Sequence, residues 1–298
     1  MILHIIINVE AKFDKDKIAK EFSMYLLMKG YSRLTIKNYL YIVEDFLKSF
    51  DIPDTQSIQK YFLKKKISKN SRATQTLILR SFAKFLKKEL KIDFETMDPP
   101  KTSKTLPVFL TKDEVKKILD ASKKNIRDFT ILAFLIYTGT RVGELVNIKN
   151  DDINLDENFV KISGKGDKER LVPISEDLSI ILKEYTKHQP NNSEYFFESR
   201  RKKKFSPLTI QLMVKKYAKY AGINKNVTPH KLRHTFATLA LESGISPITI
   251  GELLGHSSLN TTMKYTHVTN KLATEAVKKI SDFTDLKEII QKNSQSST

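Results

Sequence analysis

The chain has 298 residues, of which 40% are hydrophobic and 29% charged, with a formal net charge of +18 and no cysteine. That length and composition allow two folded domains with real cores, and the missing cysteine excludes disulfides, thiolate nucleophiles and Cys-based metal sites. Residues 1–100 carry 19 Lys/Arg against 12 Asp/Glu and residues 101–298 carry 33 against 22, so both halves are drawn to a polyanion; a Lys-rich proteome or thermal adaptation is the alternative source of the excess. Taken in chain order, residues 14–92 read as four helices. Ile18, Phe22, Tyr25 and Leu26 have helical spacing and Gly30 ends that segment. Leu34, Tyr39, Ile42, Phe46 and Leu47 mark a second helix with Ser32 as N-cap. Ile58, Tyr61 and Phe62 mark a short third, and Leu77, Leu79, Phe82, Phe85 and Leu86 a fourth.

A break follows. Met97-Asp98-Pro99-Pro100-Lys101-Thr102-Ser103-Lys104 is polar, has no periodicity and holds two prolines, which predicts an extended linker over roughly 93–107. From 108 onward the pattern is mixed. Thr111-Lys112-Asp113-Glu114 carries a capping-box signature, and Ile126–Tyr137 is a largely apolar helix. Asn158–Ser163 and Arg170–Ile174 are strand candidates flanking the glycine-rich turn Gly164-Lys165-Gly166-Asp167-Lys168. Helices are expected at about 176–187, 207–221, 231–243, 246–254, 269–281 and 284–291, before a polar tail. The expected fold is therefore mostly α with a small β-sheet: a helical domain at 14–92 and an α+β domain at 108–298. No apolar run approaches membrane-span length. Met1–Ile7 is apolar but lacks the basic flank and cleavage site of a secretory signal, so the expected location is the cytoplasm, with no membrane partner.

Four of the six histidines fall between 230 and 267. His230 and Arg233 stand three apart at the start of a predicted helix, after Thr228-Pro229. A proton carrier and a cationic fork there share one face, at a helix end that favours phosphate. Only nine of the 52 basic residues are Arg, so each Arg marks a place where a planar fork may not be exchanged for the point charge of Lys. Arg141 lies in Tyr137-Thr138-Gly139-Thr140-Arg141-Val142-Gly143-Glu144-Leu145, at a turn where glycine lets backbone approach a ligand. Neither this segment nor Gly164-Lys165-Gly166 has the spacing of a P-loop or a dinucleotide fingerprint. Leu254-Gly255-His256 runs on to Lys264-Tyr265-Thr266-His267, which puts Tyr265 in a polar stretch although a structural tyrosine usually buries its ring.

Together these segments resemble the tyrosine recombinase (integrase) family, most closely its Xer branch. The T-G-x-R-x-x-E-L segment is matched by Arg141 and Glu144, the hairpin lysine by Lys165, H-x-x-R by His230 and Arg233, and L-G-H with its downstream tyrosine by His256 and Tyr265. The positions are filled in order across the C-terminal half. The N-terminal half is similar, more weakly, to the family's helical (SAM-like) core-binding domain. The resemblance implies that Tyr265 attacks DNA to give a 3′-phosphotyrosyl intermediate and a free 5′-OH, without ATP. Arg141 and Arg233 would clamp the non-bridging oxygens, His230 accept the phenol's proton, Lys165 protonate the 5′ oxygen, His256 bond the phosphate, and Glu144 support the site by orienting His230. No metal or other cofactor is called for, because cationic side chains take the ion's role. The implied partners are double-stranded DNA with inverted-repeat half-sites and further copies of the chain, four on two duplexes, with an activating partner left open.

Most lysines read as solvated faces or phosphate contacts. Arg200-Arg201-Lys202-Lys203-Lys204 is either a DNA-facing loop or a charged surface, and Arg72 and Arg80 are candidates for major-groove contact. The lack of an added N-terminal arm-binding domain favours an Xer-type enzyme resolving chromosome dimers at a dif-like site. A phage or transposon integrase, and a non-catalytic architectural DNA-binding protein, are the competing expectations.

Overall fold

The structure is a computed structural model, and it describes residues 14–50, 56–92, 96–101, 108–164, 169–189, 193–199, 203–255, 277–280 and 282. The chain divides into two compact units, Met1–Thr105 and Leu106–Thr298.

The first unit holds α1 (Lys15–Met28), α2 (Arg33–Leu47), α3 (Ser57–Leu63) and α4 (Lys69–Phe85), whose end widens into a π-helical turn, Leu86–Leu90. Side-chain caps set the helix starts: Asp14 accepts from the Asp16 and Lys17 amides, Ser32 from Thr35 and Ser68 from Ser71. Each cap satisfies donors that the first helical turn cannot. Gly30 takes a left-handed φ of 77° that ends α1. The periodic apolar residues Phe22, Leu26, Phe46, Tyr61, Phe82 and Phe85 meet in one core.

The second unit holds α5 (Lys112–Ser122), α6 (Ile126–Thr138), α7 (Val142–Leu145), β1 (Ile153–Asn154), β2 (Phe159–Ser163), β3 (Glu169–Pro173), α8 (Glu176–Lys187), α9 (Pro207–Tyr220), α10 (Pro229–Glu242) and α11 (Pro247–Leu254). A helix apolar on all sides belongs inside, and α6 is buried without a break from Asp128 to Thr138, packed by α5, α8 and α10. The predicted capping box of α5 forms: the Thr111 amide donates to Glu114 at 2.8 Å and the Glu114 amide to the Thr111 hydroxyl. The sheet is antiparallel in the order β1-β2-β3, with Val160 opposite Val172 and Ile162 opposite Arg170. β1 was not predicted, since two residues carry no legible alternation. On β3, Val172 is buried and Leu171 exposed; the two-residue period of a strand therefore turns Arg170 toward the buried side. Among the described residues no helix is long and apolar enough to cross a membrane.

Candidate active site

Three chain turns build the site. The first follows α6: Gly139 takes a φ of 61°, and the buried hydroxyls of Thr138 and Thr140 bond each other at 2.7 Å. This brings Arg141 to the N-cap of α7 and Glu144 to its third position. The second is the start of α10, where Thr228 caps the helix and Pro229, its first residue, has no N–H to leave unpaired. His230 and Arg233 follow at one-turn spacing. The third is the end of α11, where Gly255 at φ 64° stops the helix and leaves its last carbonyls without helical partners.

The arginines converge on that helix end. Arg233 donates to the Gly139 carbonyl at 2.8 Å and to the Leu254 carbonyl at 2.6 Å. Arg141 donates to the same Leu254 carbonyl and to that of Gly255, both at 3.4 Å. The two guanidinium groups thus flank one oxygen, although 91 residues separate them in sequence. A third arginine, Arg170, donates through Nε to Leu253 at 3.1 Å. Apart from that of Gly139, the carbonyls gripped belong to the three residues that precede His256.

Among the described residues, Glu144 is the one carboxylate bonded to this group. It accepts from the Arg141 amide at 2.9 Å and from Arg141 Nη1 at 2.8 Å, and Arg170 forks onto both of its oxygens at 3.1 and 2.8 Å. Its bonds therefore go to Arg141 and Arg170 rather than to His230, the side chain it was expected to orient. The reason is local: a carboxylate at the third position of a short helix curls back on the N-cap amide, and Arg170 takes what remains of its acceptor capacity. Burial alone would raise the Glu144 carboxyl's pKa; hydrogen bonds and charge from Arg170 and Arg141 outweigh burial and hold it below the usual range. Burial, with charge from Arg141 and Arg170 against Glu144, pushes Arg233 down to about 10, so it stays cationic at neutral pH. Among the described residues, three guanidinium groups against one carboxylate leave a surplus of two positive charges, with Arg170, Arg233 and Glu144 mostly buried and Arg141 half-exposed. Such a surplus draws in an anion.

His230 is exposed on the same helix, and its ring meets that of His234 edge-on with centroids 4.6 Å apart. Burial first, then the neighbouring His230 and Arg233, lowers the pKa of His234. Arg141, Glu144 and Arg233 are thus brought together. Lys165, His256, Tyr265, Arg200 and Arg201 lie outside the described residues. In the first unit, Arg80 pairs with Asp98 at 3.0 Å and Arg72 lies over the Phe62 ring. No motif singles out Arg170. The available signal was an arginine at a strand position facing the core in a chain that otherwise prefers lysine.

A small antiparallel sheet lies beside a helical core, and a guanidinium cluster sits at a helix end, an arrangement of forks with the chemistry to hold an oxyanion. The chain matches the phage integrase family over residues 108–271. It is 41% identical over 267 residues to tyrosine recombinase XerA of Pyrococcus horikoshii, spanning 88% of this chain and 93% of that one. It is 35% identical over 278 residues to tyrosine recombinase XerD of Staphylococcus haemolyticus, spanning 85% and 94%. Among solved structures it is similar to a XerA recombinase, with a TM-score of 0.50 and 32% identity over 90% of this chain and 98% of that one. A lambda integrase dimer bound to a COC′ core site shares the fold, with a TM-score of 0.67 and 21% identity over 82% and 96%. The chain belongs to the phage integrase family, the tyrosine recombinases. It is a site-specific recombinase of Xer type, an enzyme that cuts and rejoins DNA by a tyrosine nucleophile.

Proposed function

We propose that Tyr265 is that nucleophile. Its oxygen attacks the scissile phosphorus, the bond from phosphorus to the 5′ oxygen breaks, and a 3′-phosphotyrosyl ester forms beside a free 5′-OH. The phenol, with an ordinary pKa of about 10, gives its proton to His230 as it attacks. Lys165 protonates the departing 5′ oxygen, Arg141 and Arg233 hold the two non-bridging oxygens as charge builds on them, and His256 donates a further hydrogen bond. Glu144 supports Arg141. The ester keeps the energy of the broken bond, so the reverse attack by a 5′-OH rejoins the strand without ATP.

The observation that carries this reading is the meeting of Arg141 and Arg233 on one carbonyl oxygen, inside a cluster with surplus positive charge. Two forks aimed at one acceptor are the arrangement a tetrahedral phosphate needs. Residues 14–92 act as the core-binding domain, 93–107 as the linker and 108–298 as the catalytic domain, which together take double-stranded DNA with inverted-repeat half-sites. Four protomers join two duplexes and resolve chromosome dimers at a dif-like site in the cytoplasm. In support, the XerH recombinase whose structure bound to difH is 21% identical shares the fold over 87% of this chain. In the test, a nicked duplex carrying the site the wild-type chain selects from random sequence is offered to the protein. Wild type traps an SDS-resistant covalent adduct, and Tyr265→Phe binds the duplex but traps none. An adduct with Tyr265→Phe refutes the assignment of the nucleophile.

A further inference from the structure

Arg170 has no part in the reaction written above, yet it spends three donors on the Leu253 carbonyl and the Glu144 carboxylate. It stands on the inward side of β3, and its side chain is 16% exposed. Its Nε bonds the Leu253 carbonyl and its two Nη atoms bond the two oxygens of Glu144. Gly255 lies so close that a Cβ there would come within 3.2 Å of the Arg170 Cδ and Nη1. One side chain therefore ties the strand, the Arg141–Glu144 turn and the segment leading into His256. We propose that Arg170 is a positioning residue for strand cleavage: it holds Glu144, so that the charge of Arg141 stays available to the DNA phosphate. This rests on the recombinase reading, since the phosphate is the group Arg141 is held for.

The physical need is a competition. Glu144 already accepts from the Arg141 amide and Nη1. Left with Arg141 as its sole cationic partner, the buried carboxylate would draw that guanidinium into a full ion pair, because an uncompensated charge in a desolvated site is costly. The fork of Arg170 neutralises the carboxylate from the other side. Arg141 then keeps a net positive charge, and its two long bonds to Leu254 and Gly255 are weak enough to yield to phosphate. A lysine could supply charge at this position but not a fork plus a third donor pointing elsewhere.

The test uses the full chain and the nicked duplex described above. It compares wild type, Arg170→Lys and Arg170→Gln, each alone and with Glu144→Gln. Single-turnover adduct formation at saturating DNA, DNA affinity and melting temperature are measured together. Arg170→Lys and Arg170→Gln should slow cleavage by about 10–100-fold, the scale on which outer partners of metal-ligating side chains act. DNA affinity should hold within about twofold. With Glu144→Gln the carboxylate charge is gone, so the same Arg170 substitutions should cost much less, a coupling that a merely structural role would not show. Should Arg170→Gln fail to fold, Arg170→Lys decides. A wild-type adduct with an undiminished Arg170→Lys rate overturns the proposal, as does an equal loss in both Glu144 backgrounds or a loss confined to DNA affinity. If wild type itself traps no adduct on its selected site, the recombinase reading falls and this proposal with it.

Discussion

Replacing Gly139 with alanine perturbs the joint on which the arginine cluster is built. The backbone there has a φ of 61°, which costs an L-residue roughly 1–2 kcal/mol. An added Cβ would sit 2.6 Å from Leu254 Cδ2 and 2.7 Å from Phe236 Cδ1. Both side chains are buried, at 2% and 0% exposure, so neither can swing into solvent. Forced repacking of that kind costs about 1–3 kcal/mol. The total is about 2–5 kcal/mol, or a fall in melting temperature of about 4–20 °C for a unit of this size. Gly143 supplies the control. It lies in α7 with helical backbone and nothing within 4 Å of an added Cβ, so Gly143→Ala should be neutral or stabilising by up to about 1 kcal/mol. Scanning calorimetry of the full chain reads both. Since Arg233 donates to Gly139 and Leu254, Gly139→Ala should also slow cleavage at temperatures where it remains folded. A Gly139→Ala loss below about 1 kcal/mol, or equal damage from Gly143→Ala, would refute the reasoning.

Asp128 accepts from the Tyr217 hydroxyl at 2.9 Å and pairs with Arg127, joining α6 to α9. Asp128→Ala should cost about 2–4 kcal/mol in urea denaturation by leaving a buried hydroxyl and a cation unpaired, and Asp128→Asn should cost less. The Glu144 carboxyl is held below its ordinary value of 4.5 in the folded chain. Its contribution is therefore complete above pH 4.5 and is lost as the pH falls through the lower folded value; Glu144→Gln should remove that part of the acid sensitivity of the melting temperature. His234 is lowered from 6.5, so below 6.5 the unfolded chain takes up a proton that the folded chain resists. Stability should fall as pH drops from 6.5 toward the folded value, and His234→Gln should flatten that slope in melts recorded between about pH 5 and 7.5. Cleavage of the nicked duplex should proceed at the same rate in EDTA, because the guanidinium cluster supplies the positive charge that a divalent ion supplies elsewhere.

The helices were legible because their physics is local. Ser32 and Thr111 announce their caps, and Gly30 the end of its helix, within a few residues of sequence. Arg141 and Arg233 were legible as chemistry because an arginine stands out in a Lys-rich chain, the first at a glycine-flanked turn and the second one helical turn after His230. What bonds them was not legible. The partners of Arg233 are backbone carbonyls at Gly139 and Leu254, 94 and 21 residues away, and a carbonyl has no sequence identity to read. Glu144 shows the same limit. Its place one turn after Arg141 was evident, but its second partner comes from β3, across the fold. Arg170 escaped notice because a five-residue strand gives too little alternation to reveal which face a lone charge occupies.

The hydrogen-bond lengths divide the labour between the two clamping arginines, and the division can be tested. Arg233 is 5% exposed and its bonds to Gly139 and Leu254 are short, at 2.8 and 2.6 Å. Arg141 is 46% exposed on its side chain, and its bonds to Leu254 and Gly255 are 3.4 Å. Carbonyls at a helix C-terminus carry partial negative charge, so they occupy the forks as phosphate oxygens would, but more weakly. Phosphate can displace the long bonds of Arg141 at little cost while those of Arg233 persist. Arg233 is thus part of the scaffold as well as of the site. Arg233→Lys should cost about 2–4 kcal/mol of stability, since one ammonium cannot reproduce two buried charged hydrogen bonds aimed at separate segments. Arg141→Lys should cost less than Arg233→Lys, as an ammonium on this half-exposed side can still pair with Glu144, which keeps the fork from Arg170, while slowing cleavage strongly. Paired denaturation and cleavage measurements on the two variants decide it. If Arg141→Lys is the more destabilising substitution, the helix end does not hold the arginines in the way their bond lengths imply.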